Sequence, residues 1–318
     1  MLDIWLKTGS IFLLIFLGAL TRRRGLMDAR FTRQLAAMLT SVFYPALIFS
    51  SIVREFTLPD LLGHWALPSG SALIMVLGAL IGLTVTRLTR WADARQLRTF
   101  QFQCTMNNYS FLPMLLALLF WDQRGLALVV YSTLGAEVVI WTLGTYTLSG
   151  DSLGLRSLKY LLNMPLLALA AAAGTLALTA AFQSLDPALP TAIPEAVGGM
   201  VLETLRILGA ATIPVATLIA GSRMAGLHPS HYVTKPALGL VVMRLAVIPA
   251  AAVGILHLLP FPDLTRQVLL IVAIMPCAIT SVTLCEVFDG DSDFAAATVL
   301  ITHIAALVTI PLWLSFLL

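Results

Sequence analysis

Charged residues are scarce in this sequence: Asp, Glu, Lys and Arg make up 11% of its 318 residues, against about 25% in soluble domains. Hydrophobic residues reach 59%, and the mean hydropathy is +0.93. So little charge excludes an ordinary soluble domain and indicates an integral membrane protein whose surroundings are a lipid bilayer. The net charge of +3 is small, and we expect no nucleic-acid partner.

Cysteine is also rare. Cys104, Cys277 and Cys285 fall inside apolar stretches without metal-ligand spacing, so we expect buried free thiols. The chain lacks an HExxH zinc motif, a Walker loop and a GxSxG nucleophile elbow. The predicted loops are too short to hold a catalytic or output domain. We therefore expect no enzyme activity, no resident cofactor and no metal site.

Long apolar runs dominate the sequence and predict an all-α integral membrane fold. A helix needs about 20 residues to cross the hydrocarbon core, and ten runs approach this length. Arg22, Arg23 and Arg24 follow the first run at once, which is a stop-transfer pattern and not a signal-peptide cleavage site. The predicted spans are 4–21, 31–52, 69–87, 97–120, 126–147, 158–182, 196–221, 235–258, 266–287 and 293–316.

Positive charge is distributed unevenly between the loops. Lys and Arg are concentrated after the first, third, fifth and seventh predicted spans. Cytoplasmic loops carry such an excess. The pattern predicts a multi-pass protein of the cytoplasmic (inner) membrane with both termini on the non-cytoplasmic side.

The fourth predicted span has an unusual centre. Asn107, Asn108, Tyr109 and Ser110 lie in its middle, and Pro113 follows them. Amides in hydrocarbon are costly unless they are paired, and proline removes a backbone donor. Freed backbone at membrane depth is tolerated only where protein or a watery cavity satisfies it. The span therefore predicts a broken helix that lines a site.

Proline positions indicate an internal repeat. Pro214 in the seventh span follows Pro45 in the second by about half of the chain, and Pro276 in the ninth span stands in the same relation to Pro113. Each half has five spans, and an odd number requires the second half to insert upside down. Inverted repeats with interrupted helices in corresponding positions are typical of secondary transporters, whose site lies near the bilayer midplane. The predicted repeats are 1–150 and 151–318.

Both breaks supply candidate substrate ligands. Pro113 and Pro276 suit the first turn of a new half-helix, and two helix N-termini that converge would form an anion site; the alternative is two simple kinks. Amides, aromatic rings and hydroxyls nearby are candidates, although they would also serve to satisfy freed backbone, to pack or to bond back to their own helix. The predicted substrate-binding residues are Asn107, Asn108, Tyr109, Ser110, Pro113, Pro276, Cys277, Thr280 and Ser281.

Ionisable residues inside predicted spans are candidates for ion coupling. Glu137 and Glu286 would carry a coupled proton or ligate sodium, or else act as structural partners of a cation. Arg244 is the available cation. It would attract an anion, pair with one of the carboxylates or extend to the membrane surface.

Several motifs follow one another along the chain: PALIF at 45–49, NNYSFLPMLL at 107–116, NMP at 163–165, LGAATIPVATLIAGS at 208–222, MPCAITSVTLCEVFDGD at 275–291 and PLW at 311–313. In this order they resemble the auxin efflux carrier family, which shares a superfamily with bile-acid sodium symporters. The sequence departs from the family at Ser110, where members commonly have glycine, and at Pro113, where the crossover proline often sits nearer Leu115.

The resemblance implies a ten-helix fold of two inverted five-helix repeats. Helices four and nine would cross at their unwound prolines in a transport domain, beside a scaffold domain that often forms a homodimer. The implied function is a secondary transporter that moves a small organic anion, such as malate, malonate or an auxin-like aromatic acid, by alternating access. Coupling to H+, to Na+ or to neither stays open, as does the direction of transport. The alternatives are a membrane sensor that binds an organic anion without moving it, and a channel.

Overall fold

A computed structural model describes residues 2–150, 163–185, 195–227 and 233–317 of the chain, and over these it is all-helical. The predicted repeat boundary at 150/151 and the beginning of the predicted span 158–182 border on or lie outside the described residues. The range of α7 contains a kink at Trp121 and Asp122, whose backbone angles are not helical. The helices are α1 Leu2–Arg23, α2 Ala29–Met38, α3 Tyr44–Glu55, α4 Leu58–Gly63, α5 Ala66–Leu88, α6 Ala94–Thr105, α7 Phe111–Val139, α8 Thr145–Ser149, α9 Met164–Leu185, α10 Glu195–Ala210, α11 Thr212–Ala225, α12 Lys235–Val242, α13 Ile248–Leu258, α14 Asp263–Ala273, α15 Thr280–Val287 and α16 Ser292–Leu317.

Within the described residues, eight helical stretches are long and apolar enough to cross a bilayer, so the chain is a multi-pass membrane protein. The predicted spans 97–120 and 266–287 do not appear as continuous helices, because each is divided by a non-helical break. The number of ten spans stays a prediction. The eight stretches are Leu2–Arg23, Ala29–Glu55, Leu58–Leu88, Phe111–Ser149, Met164–Ser184, Gly198–Ala225, Lys235–Leu258 and Ser292–Leu317.

The two breaks face each other. Between α6 and α7, Asn107 forms an isolated antiparallel β-bridge with Cys277, which lies between α14 and α15. The backbone N–H of Asn108 donates to the carbonyl oxygen of Pro276 at 2.8 Å. Each break thus satisfies part of the backbone that the other leaves free, as burial in a membrane requires. The predicted break in the fourth span is confirmed.

The two prolines have different positions relative to the breaks. Pro113 lies in the first turn of α7, where its missing N–H would have no helical partner in any case. The same prediction for Pro276 is wrong, because α15 begins only at Thr280. Pro276 stays in the extended segment, where its carbonyl is the acceptor for the other break.

Glycines allow the helices to approach one another closely. A Cβ atom at Gly18 of α1 would lie 2.3 Å from the Leu218 carbonyl oxygen of α11, and one at Gly221 would lie 1.8 Å from that of Ile15. Likewise, a Cβ at Gly78 of α5 would lie 2.1 Å from the Cys104 carbonyl oxygen of α6. Small residues allow this backbone approach in membrane helices. They hold α1 against α11 and α6 against α5.

Three short π-helical segments interrupt the helices of the described chain: Leu39–Phe43, Ile140–Gly144 and Met243–Val247. Such segments are often found at functional sites. In the last of them the carbonyl of Leu245 loses its helical donor, because the residue four positions later is Pro249. The indole N–H of Trp313 donates to this carbonyl instead, at 2.8 Å. Trp313 of the PLW motif therefore satisfies a carbonyl group that the proline leaves without a helical donor.

Candidate functional site

A central cavity of about 470 Å³ lies where the two breaks meet. The first break contributes Asn108, Tyr109 and Ser110 to its wall, and the second contributes Ile279 and Thr280. The cavity is also lined by residues of the first two π-helical segments and of α1, α2, α3, α7, α9, α11 and α16. Residues more than 160 positions apart in the sequence therefore share one cavity, at the ends of two interrupted helices.

Asn107 and Asn108 have different roles in this structure. Asn107 is completely buried, and its side-chain amide donates to the carbonyl oxygen of Val272 in α14. Asn108 lines the cavity and is 8% exposed. In the described part of the chain its side chain has no hydrogen-bond partner. Asn107 therefore joins the two broken helices, whereas Asn108 offers a free amide to a ligand.

The helices that follow the breaks begin at this cavity. The first residues of α7 and α15, including Phe111, Leu112, Thr280 and Thr283, line it. The first N–H groups of a helix have no partner within the helix, and each N-terminus carries the equivalent of roughly half a positive charge. This arrangement attracts a negatively charged ligand without a salt bridge.

Glu137 occupies another part of the cavity wall. Its Oε1 accepts a hydrogen bond from the Tyr109 hydroxyl at 2.7 Å. Its Oε2 accepts from the Trp141 indole at 2.8 Å and from the Asn163 amide at 2.9 Å. Three donors around one carboxyl group suit an ionised carboxylate, which is an acceptor only. The cluster also connects the first break to α7 and to the N-terminus of α9, where the Asn163 Oδ1 accepts from the Leu166 N–H at 3.0 Å.

Arg223 lies between the central cavity and a second cavity of about 380 Å³, and it lines both, as do Ile279 and Thr283. The second cavity also contains Arg22 and Arg33. Among the described residues, Arg223 forms no salt bridge. An arginine with free N–H donors at a junction of two cavities is suited to receive a carboxylate or phosphate group.

Glu286 lines the second cavity and does not reach the central one. The two predicted coupling carboxylates therefore lie in different places: Glu137 beside the first break and Glu286 among the arginines. Arg244 lies in neither cavity. It is completely buried and donates to two backbone carbonyl groups. Within the described residues it therefore pairs with no carboxylate, and it does not extend to the surface.

The other predicted ligands lie behind the cavity wall. Cys277 is completely buried, and its N–H donates to the Thr302 hydroxyl at 3.4 Å. Ser281 is buried too, and its hydroxyl accepts a hydrogen bond from the Gln103 amide at 3.0 Å. Pro113 and Pro276 shape the breaks without lining the cavity. These residues, like Asn107, do not line the cavity, and they stabilise or shape the backbone that forms its wall.

Sequence reasoning did not identify Gln103, Asn163 and Arg223 as parts of the site. A polar Gln103 within an apolar span and Asn163 before Pro165 were signals of the same kind as Asn108. The sequence identifies Arg223 only as a positive charge that flanks a span. Nothing in the sequence distinguishes it from the surface arginines near the other spans.

Comparison with known proteins identifies the family of the chain. A family model described as membrane transport protein matches residues 7–160 and again residues 161–314. The chain is 26% identical over 311 residues to an uncharacterized transporter of Methanothermobacter thermautotrophicus, covering 96% of this chain and 95% of that protein. An uncharacterized transporter of Methanocaldococcus jannaschii is 24% identical over 311 residues, 95% of each chain. The protein PIN-LIKES 7 of Arabidopsis thaliana is 28% identical over 121 residues, 36% of this chain and 31% of that protein.

Two matches of one family model, over almost the whole chain, show a repeated unit. The proteins matched over most of their length are named as transporters. The chain therefore belongs to the membrane transport protein family, of the auxin efflux carrier type, and contains two repeats of the unit that defines that family.

Proposed function

We propose that the protein is a secondary transporter that moves a small organic anion across the cytoplasmic membrane by alternating access. The central cavity is the observation that carries the proposal. Two helix N-termini, the unpaired Asn108 amide and the Arg223 guanidinium all meet there. These groups attract and orient a carboxylate, and the family is a transporter family.

The dimensions of the cavity support a small substrate. Ligand pockets in proteins are typically about 300–1,000 Å³, and this one is near the lower end at about 470 Å³. Its wall combines Asn108 and Thr280 with Phe111 and Leu112. We infer a carboxylic acid with a compact body, such as a short dicarboxylate of the malate or malonate type or an auxin-like aromatic acid.

The proposed mechanism uses the broken helices as one moving unit. In it, residues 1–150 and 151–318 are inverted five-helix repeats, and the two interrupted helices cross beside a scaffold. Asn107, Cys277 and Pro276 hold the breaks together, which supports movement of the crossing as a body. The termini lie on the non-cytoplasmic side, so that the second cavity with Arg22, Arg33 and Arg223 faces the cytoplasm. A homodimer formed through the scaffold is part of the proposal, on the family resemblance.

Glu137 is the proposed coupling group. The Tyr109 hydroxyl that donates to it belongs to the first break, so a proton on this carboxylate would change the hydrogen bond beside the substrate. A proton gradient would drive transport through such a group. Glu286 is the second candidate, since it lies where an anion would pass Arg223.

Reconstitution into liposomes tests the function. Labelled dicarboxylates and aromatic acids are offered to the vesicles, and we expect accumulation or exchange of at least one. Repetition with a collapsed pH gradient, and separately without sodium, identifies the driving ion. Tight binding without accumulation or exchange would indicate a sensor. Flux that does not saturate and shows no exchange would indicate a channel.

A further inference from the structure

Arg244 is the most deeply buried cation of the described chain, with 0% of its surface exposed. It belongs to the π-helical segment Met243–Val247, between α12 and α13. Its Nη1 donates to the carbonyl oxygen of Cys104 at 3.0 Å, and its Nη2 donates to that of Ala273 at 3.1 Å. One guanidinium therefore bridges α6 and α14.

Both acceptors are C-terminal carbonyls of the helices that precede the breaks. Cys104 is the second-last residue of α6, and Ala273 is the last residue of α14. The last four carbonyls of a helix have no partner within it. Each C-terminus carries the equivalent of about half a negative charge, so two of them together balance one guanidinium. Among the described residues no carboxylate forms a salt bridge with Arg244, and these helix ends are its counter-charge.

The surroundings keep Arg244 in this position. Gly78 has no side chain to displace the Cys104 carbonyl, from which a Cβ would be only 2.1 Å away. The bond from Trp313 to Leu245 stabilises the π-helical segment one residue further along. Arg244 is thus held by its own helix on one side and by both broken helices on the other.

In carriers with interrupted helices, C-terminal helix ends and unwound carbonyls commonly coordinate the coupling cation. We propose that Arg244 is a tethered cation that takes this role permanently, so that substrate binding and transport do not require sodium. The inference rests on the proposed transport function. A sodium ion at this position would need the carbonyl oxygens of Cys104 and Ala273, which the guanidinium already uses. A covalently attached cation cannot leave to one side of the membrane and so cannot transmit a sodium gradient.

Thermal unfolding of the purified protein in detergent tests the proposal without any substrate. The melting temperature of the parent protein is compared in sodium chloride and choline chloride at equal ionic strength, and we expect no difference. Arg244→Ala is expected to melt at a lower temperature in choline. A few millimolar guanidinium or sodium should then raise its melting temperature, because a free ion can enter the vacated position. Arg206→Ala, which removes an exposed arginine, is the control and should respond to neither ion.

Transport in liposomes provides the second readout. The parent protein should transport its anion equally in sodium and choline. Arg244→Ala should lose at least tenfold in rate and recover severalfold with guanidinium. Arg244→Lys, which keeps a charge, covers the case in which the alanine variant does not fold, and it should remain independent of sodium.

A parent protein that sodium stabilises or activates relative to choline would overturn the proposal. So would an Arg244→Ala variant that folds with the melting temperature and rate of the parent. If no anion is transported at all, the proposed function fails, whereas the comparison of melting temperatures still decides the role of Arg244.

Discussion

The two sides of the helix breaks carry opposite partial charges, and the protein treats them differently. At the C-terminal ends of α6 and α14, Arg244 donates to the carbonyls of Cys104 and Ala273, and the region is fully buried. At the N-terminal ends of α7 and α15, no carboxylate of the described residues accepts a hydrogen bond from a backbone N–H. The Glu137 carboxylate in the cavity wall is bonded to Tyr109, Trp141 and Asn163 instead. These ends open into the central cavity beside Asn108 and Thr280.

The difference assigns stabilisation of the fold to the C-terminal ends and binding of a ligand to the N-terminal ends. The C-terminal ends together present about one negative charge and the N-terminal ends about one positive charge. The protein satisfies the first with its own cation and leaves the second for an anion. Polar groups of the same interrupted helices therefore stabilise the fold on one side and remain available to a ligand on the other.

Replacing Arg244, the cation at the C-terminal ends of α6 and α14, should have the largest effect. Arg244→Met leaves two buried carbonyls without donors, and each such group costs about 1–3 kcal/mol. For two such groups we expect a loss of about 2–6 kcal/mol in the free energy of unfolding. Chemical denaturation in detergent measures it. Arg206→Met, at an exposed site on α10, is the control. An equal loss in its free energy of unfolding would contradict a special role of Arg244.

Substitutions at the neighbours Asn107 and Asn108 test whether ligand binding and stabilisation of the fold depend on different residues of the first break. Asn108→Ala removes a free amide from the cavity, and loss of a hydrogen bond to a charged ligand predicts about tenfold weaker transport with an unchanged melting temperature. Asn107→Ala removes the hydrogen bond to the Val272 carbonyl, and its main effect should be a lower melting temperature. Unchanged transport in the double variant would contradict a site at the first break.

Replacing Glu137 separates its charge from its position. In Glu137→Gln the amide oxygen can accept from Trp141 and Asn163, while its NH₂ group donates to the Tyr109 oxygen. We expect a folded protein whose exchange of anion persists but whose accumulation no longer follows the pH gradient. Uptake at two external pH values measures this. Glu137→Ala, which removes the acceptor of all three hydrogen bonds, should in addition unfold more easily.

Arg223 should give the smallest of these effects. One charge-assisted contact at a partly buried site is worth about 1 kcal/mol, which corresponds to roughly a fivefold higher KM for Arg223→Gln with a similar maximal rate. The matched control is Arg30→Gln, which replaces an exposed arginine of α2 that lines neither cavity. If both variants behave alike, Arg223 contributes only general positive charge.

Much of the fold followed from local chemistry in the sequence. The break after Thr105 was predictable because Asn107, Asn108 and Pro113 are unfavourable together in an unbroken spanning helix. The second break was predicted at its proline, but the helix after it begins four residues later. A proline suits both a first turn and an extended segment, and only the bond from Asn108 to Pro276 decides between them.

The site was less predictable because its contacts connect distant parts of the chain. Arg244 binds carbonyls that lie 140 and 29 residues away, and a backbone carbonyl leaves no mark in the sequence. Ser281 and Cys277 looked like ligands by composition. Whether a polar side chain faces the cavity or lies behind its wall depends on helix rotation, which hydropathy does not determine within a span that is apolar on all sides.

Chemical accessibility of position 280 from the two sides of the membrane tests alternating access most directly. Thr280 is exposed to the cavity at the open end of α15, whereas the native Cys104, Cys277 and Cys285 are buried. The measurement is the labelling of Thr280→Cys by a membrane-impermeant thiol reagent in right-side-out and inside-out vesicles, with the parent protein as background. We expect labelling from both sides, with protection on both by the transported anion. Labelling from one side only, or from both sides without protection, would contradict a carrier whose site lies between the broken helices.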